Sequence, residues 1–215
     1  DVIDNLAAES TIIVEDVTHT LFSSYPRFEK NDYYIASVRK WFGVPCGGML
    51  AAPNRTIDSS SLMNESTFPA IRLKALWLKS QYLKGGEQDL KSSYLSLFEQ
   101  AERMLESDMG SYKIDILSET ILKTVDHDLI VNKRKSNFML LADGLASMSG
   151  ARGVFSDVPA DVCPMFFPIL IDRNRNQIRQ KLSQEKIYCP IHWPGPKHSL
   201  NHFEKASEIY NTILS

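Results

Sequence analysis

Two short apolar runs near the start of the chain each lead to residues that could do chemistry. The run 11–14 leads to Asp16, and the run 33–36 leads to Ser37 and, three residues later, Lys40. The separation between Asp16 and Lys40 is long enough for one strand-to-strand crossover. A buried acid at one strand end and a lysine beyond the next are typical of a pyridoxal phosphate (PLP) site. In such a site the lysine forms a Schiff base with the cofactor, and the acid pairs with the pyridine nitrogen.

Each of these two residues also has an ordinary interpretation. A lysine must be partly desolvated or electrostatically depressed before its amine forms an imine. We expect the neighbours Trp41 and Phe42 to desolvate Lys40. The alternative is a solvated surface lysine at a strand end. For Asp16, the alternative to a cofactor contact is a helix N-cap or a loop ion pair, because a buried carboxylate needs a partner.

Three further residues surround this pair in the sequence. The hydroxyl of Ser37 could donate to the cofactor phosphate, with Arg39 supplying charge. The alternative for Arg39 is a surface salt bridge. His19 could orient Asp16 or lie against the cofactor, or it could be a hydrogen-bonding loop histidine. Glu15, Asp16 and His19 lack the usual ligand spacing, so we expect no metal. No glycine-rich nucleotide-binding motif is present.

Two later segments carry candidate substrate contacts. Lys133, Arg134 and Lys135 form a basic run, which is either a solvated helix face or a contact with an anionic substrate or partner. His192 and Trp193 lie in a proline-rich turn, which is either a packed turn or a substrate-facing edge.

Composition narrows the class of protein. Of 215 residues, 43% are hydrophobic and 23% are charged, and the formal net charge is −2. These values favour an ordinary globular domain and give no support to nucleic-acid or membrane binding. The three cysteines show no CxxC spacing. We therefore expect a reduced, cytoplasmic setting, with each cysteine acting as a small apolar residue.

The pattern along the chain predicts an α/β fold in three parts. Residues 1–55 are predicted to be βαβ-like, residues 56–150 a helical connection and platform, and residues 151–215 a small α+β domain. Strands are expected at 11–15, 33–37, 47–52 and 162–172, with a further strand and turn in the segment 186–194. Helices are expected from Pro69 to Gly85, at 87–106 and 126–148, and in the segment 173–185. The polar segment 54–67 is the predicted linker.

Several of these stretches, in this order, resemble the PLP-dependent enzymes of fold type I, and in particular the DegT/DnrJ-like sugar aminotransferases. IIVEDVTHT is similar to the family strand whose acid pairs with the pyridine nitrogen. IASVRKWFGVPCGGML is similar to the segment with the Schiff-base lysine and its following glycine pair, Gly47 and Gly48. NKRKSNFMLLADGL resembles a family helix through Arg134 and Asn137. VCPMFFPILID and the residues up to Pro194 resemble the C-terminal domain.

The resemblance implies a function and a site. Lys40 would hold PLP and Asp16 would pair with its ring. The reaction would move an amino group from an amino acid such as glutamate to a keto sugar, nucleotide-linked in this family, and the protein would be a homodimer. Retention of Lys40 argues against the dehydratase branch, which has histidine there. Departures from the pattern include Thr18, where the family has a small residue, and Trp193, where tyrosine is commoner.

The resemblance also implies that the N-terminal part of the large domain, with its phosphate-binding loop, is not in this chain. We therefore expect the large-domain sheet to be present only in part. Two alternatives stay open at this point. One is a catalytically inactive relative that serves as a binding or assembly subunit. The other is a PLP enzyme that catalyses racemisation, elimination or decarboxylation.

Overall fold

The computed structural model describes residues 11–24, 27, 30–64, 67–108, 110–191 and 203–215. Within these ranges the chain forms six α-helices and two three-stranded sheets. The expected mixed α/β class is therefore confirmed at a coarse level. The chain divides into two compact units, one within residues 1–21 and 26–125 and the other within 22–25 and 126–215.

The first unit contains a small mixed sheet. Its strands are β1 (Val14–Asp16), β2 (Tyr33–Ser37) and β3 (Gly48–Ala51), in that spatial order. β1 and β2 are parallel, and β2 and β3 are antiparallel. All three were predicted, although β1 begins later than expected. The reason is that the Ile13 N–H donates to the Asp32 carboxylate (2.9 Å) instead of to a strand partner.

The connection between the two parallel strands differs from the expected βαβ arrangement. Among its described residues, 17–24, 27 and 30–32, there are turns and no helix. Val17 and Asn31 are buried at its two ends. The Val17 N–H donates to the Ile35 carbonyl (2.8 Å), which extends the ladder one residue beyond β1.

Two long helices form the main core of the first unit. α1 (Phe68–Leu83) and α2 (Gln88–Ser107) pack against each other, and both were predicted within a few residues. Pro69 lies in the first turn of α1, where the missing N–H costs no helical hydrogen bond. The buried cluster between the helices contains Ala75, Tyr82 and Tyr94, with Leu78, Leu90, Leu97 and Phe98 packed around it.

A third helix in this unit was not predicted. α3 (Ile116–Thr124) is only nine residues long, and its β-branched residues give it a weak helical signal. Its start is nevertheless well defined, because the Asp115 carboxylate caps it by accepting from the Ser118 N–H (2.9 Å). The sequence pattern contained this cap signal, and the prediction missed it.

The first helix of the second unit is α4 (His127–Leu145), which was predicted. The Asp126 carboxylate caps it by accepting from the Leu129 N–H (2.9 Å). Phe138 is buried and meets Phe167 edge to face, with ring centroids 4.6 Å apart. This aromatic pair fixes the inner face of the helix.

The second sheet consists of β4 (Ala151–Gly153), β5 (Ile169–Ile171) and β6 (Ile213–Leu214), all antiparallel in that order. The strand predicted at 162–172 is wrong over most of its length. Pro164 and Pro168 supply no N–H for a ladder, so pairing begins only after the second proline.

Two helices complete this unit, α5 (Arg175–Gln184), which was predicted, and α6 (Glu204–Thr212). The strand predicted from residue 186 does not form in the described part of that segment, 186–191. Lys186 has a left-handed backbone (φ 61°), which interrupts extended structure there. The third strand is instead β6, whose Leu214 is completely buried.

Within the described ranges, no helix combines the length and the apolar character that a bilayer crossing requires.

Candidate functional site

Parallel pairing brings the predicted site residues of the first unit to one edge of its sheet. Asp16 is the last residue of β1 and lies opposite Ile35 in β2. Ser37 ends β2, and a single 3₁₀ turn, Val38–Lys40, follows directly. Because both strands run in the same direction, Asp16 and the turn that carries Lys40 emerge at the same edge.

The Asp16 carboxylate is exposed, not buried as expected. Its Oδ1 accepts a hydrogen bond from the Thr18 backbone N–H (2.8 Å). Hydrogen bonds from the Thr18 hydroxyl and backbone lower the pKa of Asp16 below its ordinary value of 3.8, and the charge of the nearby His19 lowers that pKa further. Asp16 is therefore ionised at neutral pH and accessible from solvent.

The neighbouring carboxylate, Glu15, has a different role. It lies on the opposite face of β1, because successive side chains of a strand alternate. It accepts from the Asn31 side chain and forms an ion pair with Arg27 (3.5 Å). Arg27 in turn donates to the Thr20 hydroxyl (2.8 Å). These contacts anchor the connection after β1, and Asp16 is the carboxylate that stays available for a ligand.

Lys40 is also exposed, so the predicted desolvation by its aromatic neighbours is not found. Trp41 instead turns into the core, where 6% of it is exposed, and its indole N–H donates to the Thr18 carbonyl. Among the residues that the structure describes, neither the Lys40 amine nor the Ser37 hydroxyl has a hydrogen-bond partner. Both groups are open to an incoming molecule.

Gly47 packs against the 3₁₀ turn that carries Lys40. Its φ of +138° is a conformation that side chains rarely adopt, and a Cβ added there would lie 2.5 Å from Val38 Cγ2. The backbone at Gly47 therefore packs directly on the turn that carries Lys40. Gly48, the other member of the glycine pair, has no such restriction, because its added Cβ would meet only the Ala36 carbonyl at 3.8 Å.

Arg39 faces the helices of the first unit. It forms an ion pair with Glu102 (3.6 Å) and lies over the Phe68 ring (5.5 Å to the centroid). Arg72 shares Glu102 (2.7 Å), and burial together with the charge of Arg39 lowers the pKa of Arg72. The phosphate contact predicted for Arg39 stays a prediction, whereas its described contacts anchor the Lys40 turn to α1 and α2.

A second anchor lies just beyond the turn. The Cys46 thiol donates to Asp115 Oδ2 (2.9 Å), and the Cys46 N–H donates to the Ser118 hydroxyl (3.3 Å). Burial raises the pKa of Cys46, so the thiol is protonated at neutral pH. Burial acts to raise the pKa of Asp115, but hydrogen bonds from Cys46, Ser118 and the Leu117 amide outweigh it and lower that pKa. Cys46 is thus a hydrogen-bonded residue and not only an apolar one.

The remaining predicted residues lie elsewhere. Arg134 is in the second unit, where it donates to the Met165 carbonyl (3.0 Å). Lys135 donates to the Ala160 carbonyl. His192 and Trp193 lie outside the described residues. The substrate contacts predicted for these residues stay predictions.

One residue that the sequence reasoning treated only as a departure from the family pattern is central to the geometry. Thr18 contacts Asp16, Ser37 and Trp41, each through a different backbone or side-chain group. Its position two residues after the acid was the only signal available in the sequence. In the part of the chain that is described, no three His, Cys, Asp or Glu side chains cluster as a metal site would require.

No protein-family model matches the sequence, and no curated protein matches it significantly. The family resemblance therefore rests on the ordered sequence motifs alone.

Proposed function

We propose that this protein is a PLP-dependent aminotransferase whose cofactor site includes Asp16 and Lys40. The observation that carries the proposal is the shared edge of β1 and β2. An ionised carboxylate ends one parallel strand, and an accessible lysine follows the next strand by one turn. Ligands of α/β proteins commonly bind at the carboxyl ends of neighbouring parallel strands.

The side chains at this edge suit the cofactor. PLP has a ring nitrogen that binds a proton, an aldehyde that reacts with amines, and a phosphate. The ionised, accessible Asp16 can pair with the protonated nitrogen. Lys40 is exposed, and its amine is available to the aldehyde. Ser37 is half-buried, and its hydroxyl is available to the phosphate.

When bound, PLP supplies the electron sink that allows an amino group to move between two substrates. The chain's own residues would do the rest. Asp16 would keep the proton on the ring nitrogen, because its lowered pKa favours the charged carboxylate. Lys40 Nζ would hold the cofactor and, once released by the incoming amine, would move the proton that amino-group transfer requires. His19 would stabilise the orientation of Asp16.

The substrates come from the family resemblance. We propose an amino acid such as glutamate as the donor and a keto sugar, nucleotide-linked as in that family, as the acceptor. A homodimer is proposed on the same basis. A cytoplasmic location is proposed because all three cysteines lie in the described part of the chain and are free thiols.

The test is the first half of the reaction. The protein is loaded with PLP and mixed with isotopically labelled glutamate, and the formation of pyridoxamine phosphate is followed. Wild type should accumulate the aminated cofactor, and Lys40→Arg should not. Lys84→Arg, which alters an exposed lysine at the end of α1, is the matched control and should behave as wild type. Equal activity in the Lys40 and Lys84 variants would contradict the assignment.

The alternatives give different results in the same experiment. Racemisation, elimination or decarboxylation would consume the amino acid without leaving pyridoxamine phosphate. A binding or assembly subunit would take up no PLP at saturating cofactor although the protein is folded.

A further inference from the structure

Thr18 connects three points of the candidate site through three hydrogen bonds. Its backbone N–H donates to Asp16 Oδ1 (2.8 Å). Its hydroxyl oxygen accepts from the Ser37 backbone N–H (2.9 Å). Its carbonyl accepts from the Trp41 indole N–H. One residue therefore bridges the end of β1, the end of β2 and the residue directly after Lys40.

The local fold makes this bridge specific. Val17 continues the ladder with Ile35 and is buried, so the position of Thr18 relative to β2 is fixed. Trp41 is buried as well, and its single indole N–H is used by the Thr18 carbonyl. The bridge is thus held from both sides by core residues.

We infer that Thr18 is a positioning residue that holds the Asp16 carboxylate in register with the turn that carries Lys40. This inference rests on the proposed function, since it assigns Asp16 and Lys40 to one cofactor. The Thr18 hydroxyl accepts from the Ser37 N–H while the Thr18 backbone N–H donates to Asp16, so this one residue links the end of β2 to the carboxylate. Hydrogen bonds to a charged acceptor are stronger than neutral ones.

Substitutions can separate the hydroxyl from the backbone contacts. Thr18→Val keeps the shape and both backbone hydrogen bonds but removes the acceptor for the Ser37 N–H. Thr18→Ser keeps the hydroxyl. Thr20→Val is the matched control, because the Thr20 hydroxyl accepts from Arg27 and not from the site.

The experiment combines two measurements on the full chain. Amide hydrogen exchange is measured without PLP, and the dissociation constant for PLP is measured by titration. In Thr18→Val the Ser37 amide should exchange about tenfold faster, and PLP should bind about tenfold more weakly. Thr18→Ser should restore both values, and Thr20→Val should change neither. Protection of the Trp41 indole N–H should persist in all variants, which shows that the variants are folded.

Two results would overturn the inference. One is wild-type PLP affinity in Thr18→Val, and the other is an unchanged exchange rate at Ser37. Failure of the proposed function is a separate outcome, because then the wild-type protein itself would take up no PLP.

Discussion

Gly47 offers a direct test of how the Lys40 turn is held. Replacing it with alanine adds a Cβ that would lie 2.5 Å from Val38 Cγ2, at a φ of +138°. The unfavourable backbone costs about 1–3 kcal/mol. Overpacking against a buried side chain costs about 1–3 kcal/mol in addition. The two costs add to about 2–6 kcal/mol, and we expect Gly47→Ala to lower the free energy of unfolding by about 3 kcal/mol, in the lower half of that range.

The matched control is Gly48→Ala. Its added methyl makes an ordinary contact at 3.8 Å, and no left-handed φ is needed there. The change in the free energy of unfolding should stay within about 1 kcal/mol. Urea denaturation followed by circular dichroism measures both variants. With an m-value of about 2 kcal/mol/M, the Gly47 variant should lose about 1.5 M in the midpoint.

A double-mutant cycle separates steric clash from backbone strain. Val38→Ala removes the methyl group that the new Cβ would meet. Combined with Gly47→Ala, it should recover about 1–2 kcal/mol relative to the sum of the single changes. Additive effects, or equal midpoints for the Gly47 and Gly48 variants, would refute the argument that Gly47 packs on the Lys40 turn.

Three further predictions concern the anchors around the turn. Glu102→Gln should lower the free energy of unfolding by about 1–2 kcal/mol, because the mostly buried Arg72 loses its charged partner. Glu99→Gln, in an exposed helical ion pair, is the control and should cost at most about 0.5 kcal/mol. The urea denaturation midpoints of the two variants measure the difference. The folded-state pKa of Asp115 is lowered, so its contribution to stability is present above its unfolded pKa and is lost as pH falls through the folded value. Wild type should thus lose more stability than Asp115→Asn between about pH 6 and pH 3, where carboxylates titrate. Equal slopes of the free energy of unfolding against pH in the two proteins would contradict this. Because burial raises the pKa of Cys46, iodoacetamide should modify it at pH 7 more slowly than free cysteine, as mass spectrometry of the peptide can show.

The sequence was a good guide where local patterns decide the structure. β2 formed at the predicted residues because Tyr33–Ser37 is an aromatic and β-branched run. The long helices formed near their predicted bounds because their apolar spacing is sustained over several turns. The identification of Asp16 and Lys40 as residues at neighbouring strand ends followed from the same patterns.

Features that depend on register or on distant partners could not be predicted in this way. The bridge at Thr18 requires the parallel alignment of β1 with β2, which hydrophobic pattern alone does not specify. The third strand of the second sheet is a two-residue segment at 213–214, too short to give a period. The exposure of Lys40 depends on Trp41 turning into the core, which no local rule determines.

Borohydride trapping followed by peptide mapping shows directly whether Lys40 forms a Schiff base with PLP. The folded protein is incubated with excess PLP, reduced and digested, and the modified lysine is located by mass spectrometry. We expect a reduced pyridoxyl group on Lys40 that is absent from the Lys40→Arg variant. A folded protein with no label on Lys40, or with label spread evenly over its surface lysines, would contradict this expectation.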